Sequence, residues 1–298
     1  MPINRREFLV LASLPLLARS LPSLAASDSG MFVCMHEITS ISFDFRTAME
    51  GYARAGIRAV EPDLGKVREF AQQESPRMAR QLLDDLGLKA VSCSNQLFLE
   101  ESGARRAGAI EDLKWKVELA EIIGADRMVV PSAASEPHTI EDYEQVIENL
   151  REAADIAQPH KVTLMVEHTR LSTLINNLRT ALKVVREANH SHLKVMLDTF
   201  HFWSGMSKFE DLELLRDGEL HHLHFEDIPA EPPLEMFGQQ SRVFPGEGIA
   251  PLRRIVEVLQ RKGYRGPASL ELFNPVVQAT DPYEVAVKAR RTIEPLIG

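Results

Sequence analysis

From residue 31 onward the chain repeats one unit eight times. Each unit is a short apolar run rich in β-branched residues, then a turn, then an amphipathic helical stretch. No Ser/Gly-rich linker or shift in composition divides them. Strands that alternate strictly with helices must run parallel, because each return to the sheet needs a crossover through a helix. Eight units in a chain of this length predict a single domain, a (β/α)8 TIM barrel. The alternative, an open doubly wound sheet, calls for a glycine-rich phosphate loop after the first strand. Met35-His36-Glu37-Ile38-Thr39-Ser40 is not such a loop.

The predicted strands cover residues 31–38, 57–60, 88–92, 127–130, 162–166, 193–197, 220–225 and 268–272. Helices are expected over 45–55, 76–86, a long stretch ending at 123, 174–188, 209–215, 250–262 and 282–297. Another, after the fourth strand, turns Tyr143, Val146, Ile147, Leu150, Ala154 and Ala157 inward. Gly56, Gly87, Gly124, Gly263 and Gly266 stand where helices should stop. One connection is unusually long, residues 228–248 after the seventh strand. A loop of that length in a compact domain is usually functional, often a lid over a site.

Composition narrows the function classes. The 298 residues are 44% hydrophobic and 26% charged, enough apolar material for a full core. A net charge of −9 opposes a nucleic-acid partner, which would want a basic stripe. The two cysteines, Cys34 and Cys93, lie in apolar runs and read as buried small hydrophobes. The N-terminus is a separate matter. Arg5-Arg6-Glu7-Phe8-Leu9 leads into an apolar stretch too short to span a bilayer, and Ser23-Leu24-Ala25-Ala26 offers small residues for cleavage. This segment resembles a bacterial twin-arginine signal, with Asn4 and Val10 departing from the usual pattern. Residues 1–27 are therefore read as a signal peptide and 28–298 as the barrel. The implied route is the twin-arginine export machinery, and the implied address is the periplasm.

In such a barrel the active site lies at the C-terminal ends of the strands. Glu167, Asp198, His224 and Glu271 stand at the ends of strands five, six, seven and eight. A lone polar residue there is often only a turn former or a helix cap. Four in consecutive units, all of metal-binding type, predict one hard or borderline divalent ion: manganese, magnesium, cobalt or zinc. Earlier strand ends add His36, Glu61 and Asn95 as candidate substrate contacts. Their ordinary readings are structural, such as Glu61 pairing with a basic residue. His222 shares the face of His224, as alternation along a strand requires, and reads as a supporting or core group.

The chain also resembles the sugar isomerase and epimerase superfamily with xylose-isomerase-like barrels. The resemblance spans the chain beyond the leader and is sharpest after residue 160. It rests on Val166-Glu167, Leu197-Asp198-Thr199-Phe200-His201, His222-Leu223-His224-Phe225-Glu226-Asp227, Pro245-Gly246-Glu247-Gly248 and Leu270-Glu271-Leu272-Phe273. It implies that Glu167, Asp198, His224 and Glu271 bind one divalent ion and that His201 contacts substrate. Two positions depart from the ketose 3-epimerase branch: Thr173 and Ala230 stand where a glutamate and an arginine would hold substrate hydroxyls. His168, Arg170, Glu226, Asp227 and Arg242 are the polar groups that could replace them.

The chemistry expected of such a ligand set is proton transfer beside a carbonyl. A divalent ion stabilises negative charge on the oxygens of an α-hydroxyketone, which brings a cis-enediolate within reach. Glu167 and Glu271 then serve as the acid/base pair. The leading expectation is an isomerase or epimerase of a small keto sugar or polyol. A lyase of the inosose-dehydratase or 3-keto-glycoside-eliminating kind is the alternative. A metal-dependent phosphodiesterase and a non-catalytic sugar-binding barrel rank below both. The partner expected is a small carbohydrate, and self-association into a homo-oligomer is compatible with this reading.

Overall fold

A computed structural model describes residues 30–298; the leader read in residues 1–27 lies outside them. Eight parallel strands alternate with helices, in the ring order β3-β2-β1-β8-β7-β6-β5-β4. They are β1 Phe32–His36, β2 Ala59–Glu61, β3 Lys89–Ala90, β4 Arg127–Pro131, β5 Thr163–Glu167, β6 Leu193–Asp198, β7 Leu220–His224 and β8 Pro267–Leu270. The edges of this sheet, β3 and β4, are drawn together by residues just beyond β3. Val129 N donates to Cys93 O at 2.7 Å, Asn95 N to Val129 O at 2.9 Å, and Cys93 N to Arg127 O at 3.3 Å.

The helices are α1 Phe45–Arg54, α2 Leu64–Gln73, α3 Pro76–Asp85, α4 Gly103–Ile123, α5 Ile140–Ala157, α6 Leu178–Ala188, α7 Thr199–Ser204, α8 Leu252–Arg261, α9 Pro275–Gln278 and α10 Pro282–Ile297. Side-chain caps start many of them. Asp44, Asp63, Ser75 and Asn177 each accept a backbone N–H from the first turn of α1, α2, α3 and α6. Helix α2 was not expected; of its ten residues only Leu64 and Val67 are buried. Helix α7 was missed because it begins on Asp198 itself, which caps it by accepting His201 N at 2.8 Å.

Strand alternation divides the interior into two regions. Met35, Val60, Val130, Val166, Leu197, Leu223 and Leu270 join the large core between strands and helices. Their neighbours point into the barrel. Cys34, Ala59 and Val91 form one small inner cluster, and Val129, Met165 and Met196 another. Cys34 and Cys93 are free and buried, as read from the sequence. Two residues beyond Cys34, Ala59, Met165 and Met196 come His36, Glu61, Glu167 and Asp198. The inner face thus turns from apolar to ionisable as it approaches the C-terminal rim. Registers His36↔Glu61 and Asp198↔His224 set these side chains at matching heights.

Candidate metal centre

Glu167, Asp198 and His224 are the last residues of β5, β6 and β7, and Glu271 directly follows β8. All four are buried. One donor atom from each lies within 4.8 Å of the others. His224 Nδ1 is 3.3 Å from Glu271 Oε2, 3.6 Å from Glu167 Oε1 and 3.9 Å from Asp198 Oδ2. Donors that share one ion at about 2.0–2.6 Å cannot stand more than about 5 Å apart, and this set meets that limit. His224 Nδ1 and Glu167 Oε1 are buried without a hydrogen-bond partner. Buried polar atoms are rarely left so, and an imidazole nitrogen facing three carboxylates suits a divalent cation.

The two glutamates differ electrostatically. Glu167 is pushed up to about 7, by burial foremost and by the nearby Asp198 and Glu271 charges. Glu271 goes the other way: against its burial, His224 and Arg242 hold it down to about 2. Asp198 is held low against burial by Arg242 and His201. Burial alone would lower the His224 pKa, but Glu271 and Glu61 hold it well above the usual imidazole range.

Glu61, expected as a substrate contact, has a different task. It is fully buried beneath His224. Its Oε2 lies 3.2 Å from His224 Nε2, 2.9 Å from His222 Nε2 and 3.1 Å from the Ser269 hydroxyl that donates to it. Holding the proton of His224 on Nε2 leaves Nδ1 as the atom that faces the other carboxylates. His36 lies beside this pair, with Nε2 3.8 Å from Glu61 Oε1 and 3.6 Å from Glu271 Oε1. His36, Glu61 and His224 are themselves close enough to suggest a second ion. The local hydrogen bonds argue otherwise. His36 Nδ1 accepts Ile38 N at 3.0 Å, so the neutral ring carries its proton on Nε2 and donates there. Ser269 was overlooked in the sequence, although it lies two residues before Glu271 and must share its face.

The long connection after β7 delivers Arg242 into the site. Its guanidinium is only 1% exposed, between the rings of Phe200 at 4.5 Å and Phe273 at 4.9 Å. Nη2 donates to Asp198 Oδ2 at 2.8 Å and lies 3.3 Å from Glu271 Oε2 and 3.2 Å from His201 Nε2. His201 Nδ1 accepts Arg170 N at 3.2 Å, and burial foremost pulls its pKa down to about 4. Glu226 lies 3.8 Å from Arg242 Nε, and burial together with Asp198 raises its pKa well above the usual range. A cavity of about 380 Å³ opens beside these groups, lined by Gln96, Ser132, Thr169, Phe200, His201 and Phe237 among others.

Other candidates are engaged in holding structure. Arg170 donates through Nε to Ser204 O at 3.3 Å, Nη1 to Phe237 O at 2.7 Å and Nη2 to Leu234 O at 2.7 Å, which fastens the long connection. The Asp227 carboxylate accepts the N–H groups of Ile228, Gly246, Gly248 and Ala250, gathering both ends of that connection. A side chain at Gly248 would meet Ile228 O at 2.2 Å, so only glycine admits this closure. His168 is buried against Ser207 Oγ at 3.2 Å, and its pKa falls to about 3, by burial foremost. Asn95 Oδ1 accepts Lys116 Nζ at 2.7 Å near the β3–β4 seam. Thr173 donates to Glu136 O at 2.6 Å on the surface.

Comparison with known proteins agrees with this architecture. The family described as "Xylose isomerase-like TIM barrel" matches residues 50–294. A 3-dehydroshikimate dehydratase of Pseudomonas putida is 28% identical over 261 residues, which cover 85% of this chain and 40% of that protein. The chain thus spans about two fifths of that relative. An inosose isomerase of Bacillus licheniformis is 24% identical over 270 residues, covering 88% of this chain and 96% of the relative. Among solved structures, that of IOLI protein with a binding zinc atom superimposes with a TM-score of 0.82 at 22% identity, covering 89% of this chain and 97% of that one.

Proposed function

The chain belongs to the xylose isomerase-like TIM barrel family, and from that premise we propose a divalent-metal-dependent enzyme that moves a carbon-bound proton beside the carbonyl of a small keto sugar or polyol. One observation carries the reading: four donors from consecutive strands converge with His224 Nδ1 and Glu167 Oε1 left unsatisfied. Glu167, Asp198, His224 and Glu271 would hold one ion. When bound, it supplies Lewis-acid stabilisation of negative charge on substrate oxygens. The donor set accepts manganese, magnesium, cobalt or zinc, and the zinc named with the IOLI structure supports zinc as one of them.

The remaining steps belong to the protein. Glu167 and Glu271 reach in from β5 and β8, at opposite ends of the four-strand arc. One removes the proton and the other returns it. Return to the same carbon from the other face gives an epimer, and return to the neighbouring carbon gives an isomer. Departure of a β-hydroxyl gives dehydration from the same first step. Isomerisation or epimerisation is our first reading, supported by the inosose isomerase relative. The dehydratase relative supports the lyase reading beside it. Arg242 and His201 present donors next to the acid/base pair, where a substrate oxygen can be oriented. The leader read from the sequence would place this chemistry in the periplasm.

Nuclear magnetic resonance in D2O tests the proposal. Metal-loaded protein is incubated with a panel of keto sugars, inososes and 3-keto-glycosides, and a carbon-bound proton should exchange for deuterium in at least one. Absence of exchange throughout, with one ion per chain confirmed, would overturn enediolate chemistry.

A further inference from the structure

We propose that the foot of the barrel, opposite the metal centre, binds a phosphate-bearing anion. The N-terminal ends of β1, β3, β4, β7 and β8, with the turns preceding β7 and β8, enclose a cavity of about 310 Å³ there. Its lining brings together Lys89, Arg127, Arg216, Lys262 and Arg265 against a single carboxylate, Asp217. Five cations around one concavity stand out in a chain whose net charge is −9.

Two of these cations are already neutralised: Arg127 by Asp126 at 2.7 Å and Lys262 by Glu213 at 3.0 Å. Lys89, Arg216 and Arg265 form no direct ion pair among the described residues, with Asp126 and Glu219 the carboxylates that act on Lys89 and Arg216 from farther off. Two of the guanidinium groups are held in place by carbonyls. Arg127 Nη1 donates to His221 O at 2.6 Å, and Arg265 Nη1 donates to Gln260 O at 2.9 Å and Tyr264 O at 2.8 Å. Preset guanidinium forks match phosphate oxygens in shape and charge. The floor is largely apolar: Val91, Leu220 and Tyr264 are buried, and Tyr264 donates its hydroxyl to Pro267 O at 2.6 Å. A wall in which cations outnumber carboxylates, over a low-dielectric floor, focuses the field and attracts an anion. His221 registers that field, since burial foremost and then Arg127 lower its pKa to about 4.

The cavity is of small-molecule size, which favours a phosphate ester over a bare ion. It also straddles the seam of the barrel. Lys89 stands on β3 and Arg127 on β4, and Cys93 N to Arg127 O, at 3.3 Å, links the two edges. A bound anion would fasten these edges at the foot. This site stands or falls apart from the chemistry proposed at the rim.

The test uses metal-loaded, full-length protein at constant ionic strength. Inorganic phosphate and glucose 6-phosphate are titrated by calorimetry, with thermal unfolding followed in parallel and sodium chloride as the control. We expect one saturable site, with a Tm rise of several degrees at saturation. The double variant Arg216→Glu/Arg265→Glu should bind at least tenfold more weakly while keeping its metal content and unfolding cooperatively. Arg216→Lys/Arg265→Lys should recover part of the binding. Whichever ligand binds more tightly at this site identifies the ester or the free ion as its occupant. Binding that is absent from the parent, unchanged in the charge-reversed variant, or matched by chloride would overturn the site.

Discussion

The two halves of this barrel carry ionisable residues at the same height and use them in opposite ways. Strands β5 to β8 lead to Glu167, Asp198, His224 and Glu271, and two of the converging donor atoms make no hydrogen bond and face only the other donors of the set. Strands β1 and β2 lead to His36 and Glu61, where Glu61 Oε2 holds His222, His224 and Ser269 while its Oε1 makes no hydrogen bond and lies 3.8 Å from His36 Nε2. Position at a strand end shows that a side chain faces the site. Whether its atoms are free for a ligand depends on the strands across the barrel. The half in which four donors converge within 4.8 Å of one another is the one that can act on something else.

Breaking the β5–β8 half should have the largest effect. Glu271→Gln removes a metal-binding charge and half of the acid/base pair, so proton exchange in D2O should fall by at least about a thousandfold. Retained exchange would remove Glu271 from the chemistry. Breaking the β1–β4 half should act through the other. Glu61→Gln strips the charge under His224, and calorimetry should show metal affinity lowered by about 10–100-fold. Unchanged affinity would mean that the halves are not coupled.

Smaller effects should separate scaffold from site. Arg170→Ala releases the carbonyls of Ser204, Leu234 and Phe237, so kcat/KM should fall about tenfold while metal affinity holds. A loss of metal instead would place Arg170 in the centre. Glu37, just after β1, gives a pH signature. Burial pushes its carboxyl up to about 8 from 4.5, while its Oε2 accepts Asp63 N at 2.8 Å. The folded protein therefore keeps a proton that the unfolded chain has released, and stability drains away as pH rises from about 5 to about 8. Glu37→Gln should flatten the unfolding free energy against pH over that window, by up to about 1.4 kcal/mol per pH unit, as read from denaturant unfolding. An unaltered slope would assign the effect to another group.

Periodicity and strand ends made much of this molecule legible in the sequence. The eight cycles predict the barrel because alternation of strand and helix leaves few other topologies. Glu167, Asp198, His224 and Glu271 were visible because each ends a strand in a consecutive unit. What stayed hidden depends on contacts across the ring. Nothing near Glu61 in sequence shows that β7 will bring His222 and His224 onto it. Arg170 does line the cavity, as read from the sequence, but its grip on the carbonyls of Ser204, Leu234 and Phe237 forms only when the loop over 234–237 folds back. Arg242 lies in the longest connection, where no period fixes direction, and only the folded chain carries it between Phe200 and Phe273. Helix α2 turns only Leu64 and Val67 fully inward, and what it packs on is set by its neighbours α1 and α3 in space.

The most direct test of the account is anomalous diffraction from crystals grown with manganese or zinc. One peak per chain is expected, coordinated by Glu167, Asp198, His224 and Glu271, with none between His36 and Glu61. A peak held by His36 and Glu61, or no ion among the four rim residues, would contradict it.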